Sequence, residues 1–264
     1  MKILDYTEAK SVVVCGDIHG DFNVLVHKMC VQYGMTDTLL IVAGDCGFGF
    51  ERKGYYENLI NRGSNAKRMS QANNWIVFIR GNHDNPAYFD GKEFNHKRFN
   101  AIPDYTVIQA CGHNILCVGG AISIDRQYRI AKQLKANRFH KPSTDVLAPA
   151  YYWPTEAPIF DEDKLNEITA ALNIDTVITH TAPSFCELIS KNGLESFAEH
   201  DPTLMEDVAA ERAAMDAIHS KLKADGHTVG HWYYGHFHQS WFSEIDGTLF
   251  KMLDIMEFNE LRPL

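Results

Sequence analysis

Trp75-Ile76-Val77-Phe78-Ile79-Arg80-Gly81-Asn82-His83-Asp84 sets the pattern from which the rest of the chain is read: a short apolar, partly β-branched run that breaks into Gly-Asn-His-Asp. The same break recurs at four other places. Val12-Val13-Val14-Cys15 runs into Gly16-Asp17-Ile18-His19-Gly20, and Leu39-Leu40-Ile41-Val42 into Gly44-Asp45-Cys46-Gly47. Val177-Ile178 leads to Thr179-His180, and Val229 with Trp232-Tyr233-Tyr234 to Gly235-His236-Phe237-His238. Apolar runs of this length suit strands buried on both faces. Each polar cluster therefore stands where a strand ends and a loop begins, the edge at which open α/β sheets hold their ligands. Clusters of Asp, Asn and His gathered at one edge point to a metal site.

Working outward, residues 21–33 read as a helix with Phe22, Leu25, Val26 and Met29 on one side, and 54–72 as a polar surface helix. The resulting β-α-β-α-β alternation predicts a largely parallel first sheet with helical crossovers. Residues 105–109 and 114–118 flank Cys111-Gly112-His113 and predict an antiparallel hairpin. Residues 120–160 show little periodicity, with a basic first half and an aromatic second half, and read as an insertion in a single domain spanning 1–264. Asp161 is placed to cap a helix to about Leu172, followed by a strand over 174–179. Thr203-Leu204-Met205-Glu206 fits a capping box at the head of an Ala-rich helix. Asp246-Gly247 between two apolar runs predicts a type I′ hairpin.

A chain of 264 residues buries a full core, and its 45% hydrophobic content is ordinary for a globular protein. It has no apolar run of 18 residues, so no membrane span is expected. Met1-Lys2-Ile3-Leu4-Asp5 lacks a signal-peptide pattern, which makes a cytoplasmic location the expectation. The six cysteines form no CxxC pair and read as free thiols; Cys46, beside Asp45, reads as a small space-filling residue, with a redox role as the alternative. A net charge of −9 argues against binding duplex nucleic acid by bulk electrostatics. Oligomeric state stays open.

Two divalent ions about 3.5–4 Å apart need a shared carboxylate and several further ligands. Asp45 is the natural bridge, since a carboxylate offers two oxygens. Asp17 and His19 can chelate one ion together, Asn82 adds a neutral carbonyl oxygen, and His180, His236 and His238 supply imidazoles. Mixed nitrogen and oxygen ligation suits Mn, Fe or Zn and discriminates poorly among them; two Mn²⁺ ions are the expectation. Of the other histidines only His231 lies near the Gly-His-x-His loop.

Asp-x-His, Gly-Asp, Gly-Asn-His-Asp, a strand-end His and Gly-His-x-His, in this order, resemble the calcineurin-like metallophosphoesterase superfamily over about residues 12–240. Gly16–Gly20 and Arg80–Asp84 are most similar to the branch of protein Ser/Thr phosphatases and diadenosine tetraphosphate hydrolases. The resemblance implies a four-layer α-β-β-α sandwich of two mixed sheets with outer helices. It implies one ion on Asp17, His19, Asp45 and His238, the other on Asp45, Asn82, His180 and His236, and a catalytic role for His83 at the phosphoryl group or leaving oxygen. The implied activity is hydrolysis of a phosphoester, as a phosphatase or a phosphodiesterase, by in-line attack of a metal-bridging hydroxide; the absence of an arginine from the second motif tilts the expected substrate toward a diester or a nucleotide-like or small phosphoester. A phosphoprotein phosphatase is the alternative, and an inactive binding scaffold of the same fold a remoter one.

The second motif departs from that pattern. Where the branch continues into Asp-Arg-Gly, this chain has Phe48, Gly49 and Phe50. His83 then needs another orienting partner, with Asp84 the neighbouring choice, or works without one. The phosphate clamp must come from another arginine. Arg52, Arg80, Arg126 and Arg129 are the choices, with Arg126 and Arg129 favoured because the strand before them would end near the site. The basic run 126–141 then reads as a solvated face or a flap over an anionic substrate, with Tyr151, Tyr152 and Trp153 as core or as rings that stack on a base.

Overall fold

The computed structural model describes residues 1–51, 54–61, 64–139, 150–186 and 194–262. Its first half runs β1 (Lys2–Asp5), β2 (Ser11–Cys15), α1 (Phe22–His27, extended by a π-helical turn at Lys28–Gln32), β3 (Thr38–Val42), α2 (Tyr55–Asn61), α3 (Ser64–Ala72), β4 (Trp75–Phe78), β5 (Asn95–His96), β6 (Phe99–Ala101), β7 (Thr106–Ala110) and β8 (His113–Val118). Its second half runs α4 (Arg126–Phe139), α5 (Glu162–Thr169), β9 (Thr176–Thr179), α6 (Leu194–Ala198), α7 (Leu204–Ala224), β10 (His231–Tyr234), β11 (Trp241–Ile245), β12 (Thr248–Met252) and β13 (Phe258–Glu260).

These strands form two mixed sheets, one of order β13-β2-β3-β4-β6-β5 and one of order β1-β7-β8-β9-β10-β12-β11. In the first, β2, β3 and β4 are parallel neighbours, as the alternation of strand and helix predicts. In the second, β8, β9 and β10 are parallel neighbours. Because strand side chains alternate between faces, each sheet has two apolar faces. Val12, Val14, Leu39, Ile41 and Val77 of the first sheet meet Ile108, Ile115, Cys117 and Ile178 of the second, and this seam is the inner core. The first sheet's other face, with Val13, Leu40, Val42, Ile76 and Phe78, packs on Phe22, Leu25, Tyr56, Ile60 and Met69 of the helices. The second sheet's outer face, with Val107, Leu116, Val177, Trp232 and Phe250, packs on Leu165, Ile168, Met215, Ile218 and Leu222. The layering is α-β-β-α.

Several local expectations change. The helix read over 54–72 is two helices, α2 and α3, with residues 62–63 outside the described residues. Part of the aperiodic 120–160 stretch is the 14-residue α4; residues 140–149 lie outside the described residues. The helix is anchored by polar contacts rather than an apolar stripe: Gln133 accepts the N–H groups of Tyr151 and Tyr152, and Lys132 lies over the Tyr151 ring. The capping box at Thr203 does not form, because its hydroxyl is drawn to Asp207 and Arg126. By contrast, Asp161 does cap α5, accepting the Lys164 N–H. Asp246 and Gly247 both take positive φ between the antiparallel β11 and β12, as a type I′ turn requires.

Candidate metal centre

The two triplets of parallel strands end on one side of the seam, and the polar clusters follow from their carboxyl ends. Asp17 and His19 follow β2, Asp45 follows β3 and Asn82 and His83 follow β4; His180 follows β9, and His236 and His238 follow β10. One donor set comes from the first sheet and the other from the second. A loop contact locks them together across the seam, His236 N–H donating to Asp17 Oδ1 (3.0 Å), while His83 N–H donates to Asp45 Oδ1 (2.8 Å) between neighbouring loops of the first sheet.

Two groups of ligand atoms result. Those of Asp17, His19, Asp45 and His238 lie within 4.8 Å of one another, as do those of Asp45, His180 and His236, so the groups share Asp45. Asn82 Oδ1 joins the second group, 3.0 Å from His180 Nε2. Tautomers are set from behind. His180 Nδ1–H donates to Ala43 O (2.7 Å), which leaves Nε2 free to ligate, 3.1 Å from Asp45 Oδ1. Among the described residues, Asp17 Oδ2 is buried and accepts no hydrogen bond. It faces His238 Nε2 at 3.0 Å and His19 Nε2 at 3.7 Å, and those two nitrogens lie 3.0 Å apart. A buried carboxylate oxygen without a donor is costly, and lone pairs from three side chains aimed at one point suit a cation. The residues present fit a divalent metal pair.

The backbone is bent to make this possible. His19, Asp45, His236 and His238 all have positive φ, between 44° and 69°, which non-glycine residues adopt at a cost. Two motif glycines serve close approach: a Cβ at Gly81 would strike the backbone and carboxylate of Asp45, and one at Gly235 the carboxylate of Asp17.

The calcineurin-like phosphoesterase model matches residues 10–240, which is most of the chain and includes every donor above. The chain belongs to the calcineurin-like phosphoesterase family. Members of this family are generally metal-dependent hydrolases of phosphoesters, typically with two divalent ions. The crystal structure of TT1561 from Thermus thermophilus has a similar fold, covering 94% of this chain and 90% of its own at a TM-score of 0.53 and 12% identity. The phosphopantetheinyl hydrolase PptH of Mycobacterium tuberculosis aligns over 93% of this chain and 89% of its own, with 15% identity and a TM-score of 0.39. No curated protein matches significantly. No helix among the described residues is long and apolar enough to cross a membrane.

In this member of the family the charges of the centre are interdependent. Burial opposes ionisation of Asp45, but the imidazoles of His180, His83 and His19 outweigh it and hold the carboxyl well below the usual carboxylate range. Burial likewise opposes charge on His180, yet Asp45 raises that imidazole to about 9. Without a cation the bridging carboxylate thus recruits a proton, the simplest substitute for positive charge. His236 is pushed well below its ordinary value by burial, then by the charge on His180.

The other sequence-derived residues separate sharply. Arg129, on the first turn of α4, reaches the site: its Nη2 donates to His83, and its Nε to Asp125 Oδ1 (2.7 Å). Among the described residues its Nη1 is buried and has no partner. Burial lowers His83 to about 4, and the guanidinium adds to this against the pull of Asp45. Arg126 points elsewhere, into Asp201 (2.9 Å) and Asp207 (2.6 Å) at the head of α7, and does not serve as a clamp. Arg80 is consumed by Asp104 (2.9 Å) and by the carbonyls of Thr155 and Glu156, so it fixes the 155–157 segment instead of binding phosphate. Arg52 lies outside the described residues. Asp84 does not orient His83. Its fully buried carboxylate accepts the backbone N–H groups of Cys46, Gly47, Phe48 and Gly81. His231 sits at the amino end of β10, the opposite end from His236. Cys46 is buried and its thiol donates to Ile79 O; burial, with Asp84 and Asp45 nearby, pushes the thiol well up, so it is inert.

Sequence reasoning assigned no role to two buried residues that support the centre. Asn82 Nδ2 donates to Ser123 Oγ (2.9 Å), which donates to Glu156 Oε2 (2.6 Å), while Ser123 N–H donates to Glu156 Oε1 (2.8 Å). This chain turns the Asn82 amide so that its oxygen faces the donors. The signal lay in Ser123-Ile124-Asp125-Arg126 and Trp153-Pro154-Thr155-Glu156, whose carboxylate stands among aromatic and apolar residues.

Proposed function

We propose that this protein is a dinuclear metal-dependent phosphoesterase, with Asp17, His19, Asp45 and His238 holding one ion and Asp45, Asn82, His180 and His236 the other. The observation that carries this reading is the sharing of Asp45 by two groups of converging donors. Mn²⁺ is the first metal to test, then Fe and Zn. When bound, such ions activate water at neutral pH and draw charge from the phosphoryl oxygens.

The chain's own residues do the rest. Arg129 presents a buried, unpartnered Nη1 beside His83, and a phosphoryl oxygen would satisfy it. It thereby replaces the arginine absent at Gly49, from a different element. Asp125 holds the guanidinium by Nε, leaving both Nη groups to face the site. As Arg129 turns from His83 to the phosphate, the imidazole is released to hold the proton destined for the leaving oxygen. Gly16–Gly20 and Arg80–Asp84 favour kinship with the protein Ser/Thr phosphatase and diadenosine tetraphosphate hydrolase branch, while the relocated arginine and a cavity of about 490 Å³ at the site favour a small, nucleotide-like substrate.

The test combines elemental analysis with a phosphoester panel. Protein purified with Mn²⁺ should carry about two metals per chain and hydrolyse p-nitrophenyl phosphate or its bis ester. Asp45→Asn should lose nearly all turnover and at least one ion, because a neutral amide bridges two cations poorly. Wild-type protein that carries metal but leaves the whole panel intact would refute the reading.

A further inference from the structure

The long helix α7 buries one stripe at helical spacing: Leu204, Glu211, Met215, Ile218 and Leu222. Glu211 stands where that stripe calls for an apolar side chain, and it is only 4% exposed. A carboxylate in such a place is costly unless its oxygens are engaged. Both are. Oε1 accepts the Thr181 hydroxyl and Oε2 accepts the Ile122 N–H, each at 2.5 Å. We infer that Glu211 is a positioning residue for one ion of the pair, the ion held by Asn82 and His180. The inference rests on the dinuclear reading and adds a residue that acts on the ligands from behind.

The two groups that Glu211 holds lead to two ligands of the same ion. Thr181 directly follows His180 in the chain. Ile122 directly precedes Ser123, whose hydroxyl accepts the Asn82 Nδ2–H at 2.9 Å. Asn82 and His180 come from different sheets, yet Asn82 Oδ1 stands 3.0 Å from His180 Nε2. One carboxylate on α7 therefore ties the loop after β9 to the loop after β8 and sets the spacing of those donors. The other ion draws on Asp17, His19 and Asp45, which follow β2 and β3, and on His238, which follows β10. Neither loop gripped by Glu211 carries any of these four. Asp216, little more than one turn further along α7, provides the contrast. It accepts the N–H (2.7 Å) and the hydroxyl (2.6 Å) of Ser184, so it fastens the same β9 loop at a point that leads to no ligand.

The experiment titrates Mn²⁺ calorimetrically into metal-free wild type, Glu211→Met, Glu211→Gln and Asp216→Ala. Methionine fills the same space and leaves both donors without an acceptor. Glutamine keeps both contacts, its oxygen accepting the Ile122 N–H and its NH₂ group donating to the Thr181 hydroxyl oxygen. Glu211→Met should bind one ion about tenfold more weakly and the other as wild type does, and Glu211→Gln should bind both normally. Electron paramagnetic resonance with Mn²⁺ at about two per chain gives a second readout: wild type and Glu211→Gln should show a coupled pair, Glu211→Met the spectrum of an isolated ion. Asp216→Ala should lower Tm and leave both affinities alone. Equal weakening of both ions in Glu211→Met, no weakening at all, or a Glu211→Gln variant that behaves like Glu211→Met would overturn the inference. So would selective loss of the same ion in Asp216→Ala, since any loosening of α7 would then suffice. Wild type that takes up a single uncoupled ion refutes the dinuclear reading, and Glu211 is then judged by whether that ion weakens in Glu211→Met.

Discussion

Asp84→Asn separates a loop-building carboxylate from a catalytic one. Asp84 Oδ1 takes the N–H groups of Gly47 (2.8 Å) and Phe48 (2.9 Å), and Oδ2 those of Cys46 (3.0 Å) and Gly81 (2.8 Å). Asparagine has one acceptor, so whichever way its amide turns, two buried donors lose their partner and face an NH₂ group. Each orphaned donor costs about 1–3 kcal/mol, or about 2–6 kcal/mol together. For a chain of this size that is a fall in Tm of about 5–20 °C. Thermal unfolding of the metal-free protein, followed by circular dichroism, measures it without interference from the ions. The metal-loaded variant should also bind its ions more weakly, since the two loops it ties carry Asp45 and Asn82. A Tm within about 1 °C of wild type, together with a large loss of kcat, would mean that Asp84 acts on the chemistry and that this account is wrong.

Arg129→Ala should lower kcat/KM about 10²-fold with metal content unchanged, and Arg129→Lys should recover little of it because the planar fork is lost; full activity in both would remove Arg129 from the site. Arg126→Ala should do the reverse, lowering Tm by freeing α4 from Asp201 while KM stays near wild type. Glu156 supplies a pH signature. Burial raises its carboxyl from the ordinary 4.5 to about 7, against the hydrogen bonds from Ser123. Between those values the folded protein keeps a proton that the unfolded chain has released, so stability contributed here falls as pH rises from 4.5 to about 7, by about 3 kcal/mol, and is level above. Denaturant unfolding of metal-free wild type and Glu156→Gln at pH 5 and 7.5 checks this: the wild type should lose more stability than the variant on going to the higher pH, and equal losses would show that Glu156 does not titrate there.

The strand-end clusters were legible because each pairs a buried run with side chains that have little reason to follow it unless they bind something. Asp17, Asp45 and His180 needed no distant information to be noticed. The edges of the sheets were not legible in the same way. β1 is a four-residue strand whose register pairs Lys2 with Thr106, and β13 pairs Phe258 with Cys15, contacts that only the folded chain brings together. Adjacency also misled at Asp84, since a loop that turns at Gly81 sends neighbouring side chains to different sides. Arg126 and Arg129 looked equivalent at helical spacing. They part because Asp201 and Asp207 claim the first, and no local pattern near residue 126 shows an acid some 75 residues further on.

The division of the donors between the sheets has a mechanical consequence. Asp17, His19, Asp45 and Asn82 reach the site from the six-stranded sheet, and His180, His236 and His238 from the seven-stranded one. Any cation seated there acts as a rivet through two plates, and pulling it out should loosen the joint before either plate bends. Amide exchange after chelation should therefore quicken first at the loop ends that clasp across the joint, such as His236 N–H on Asp17, while the middles of β3 and β9 stay slow.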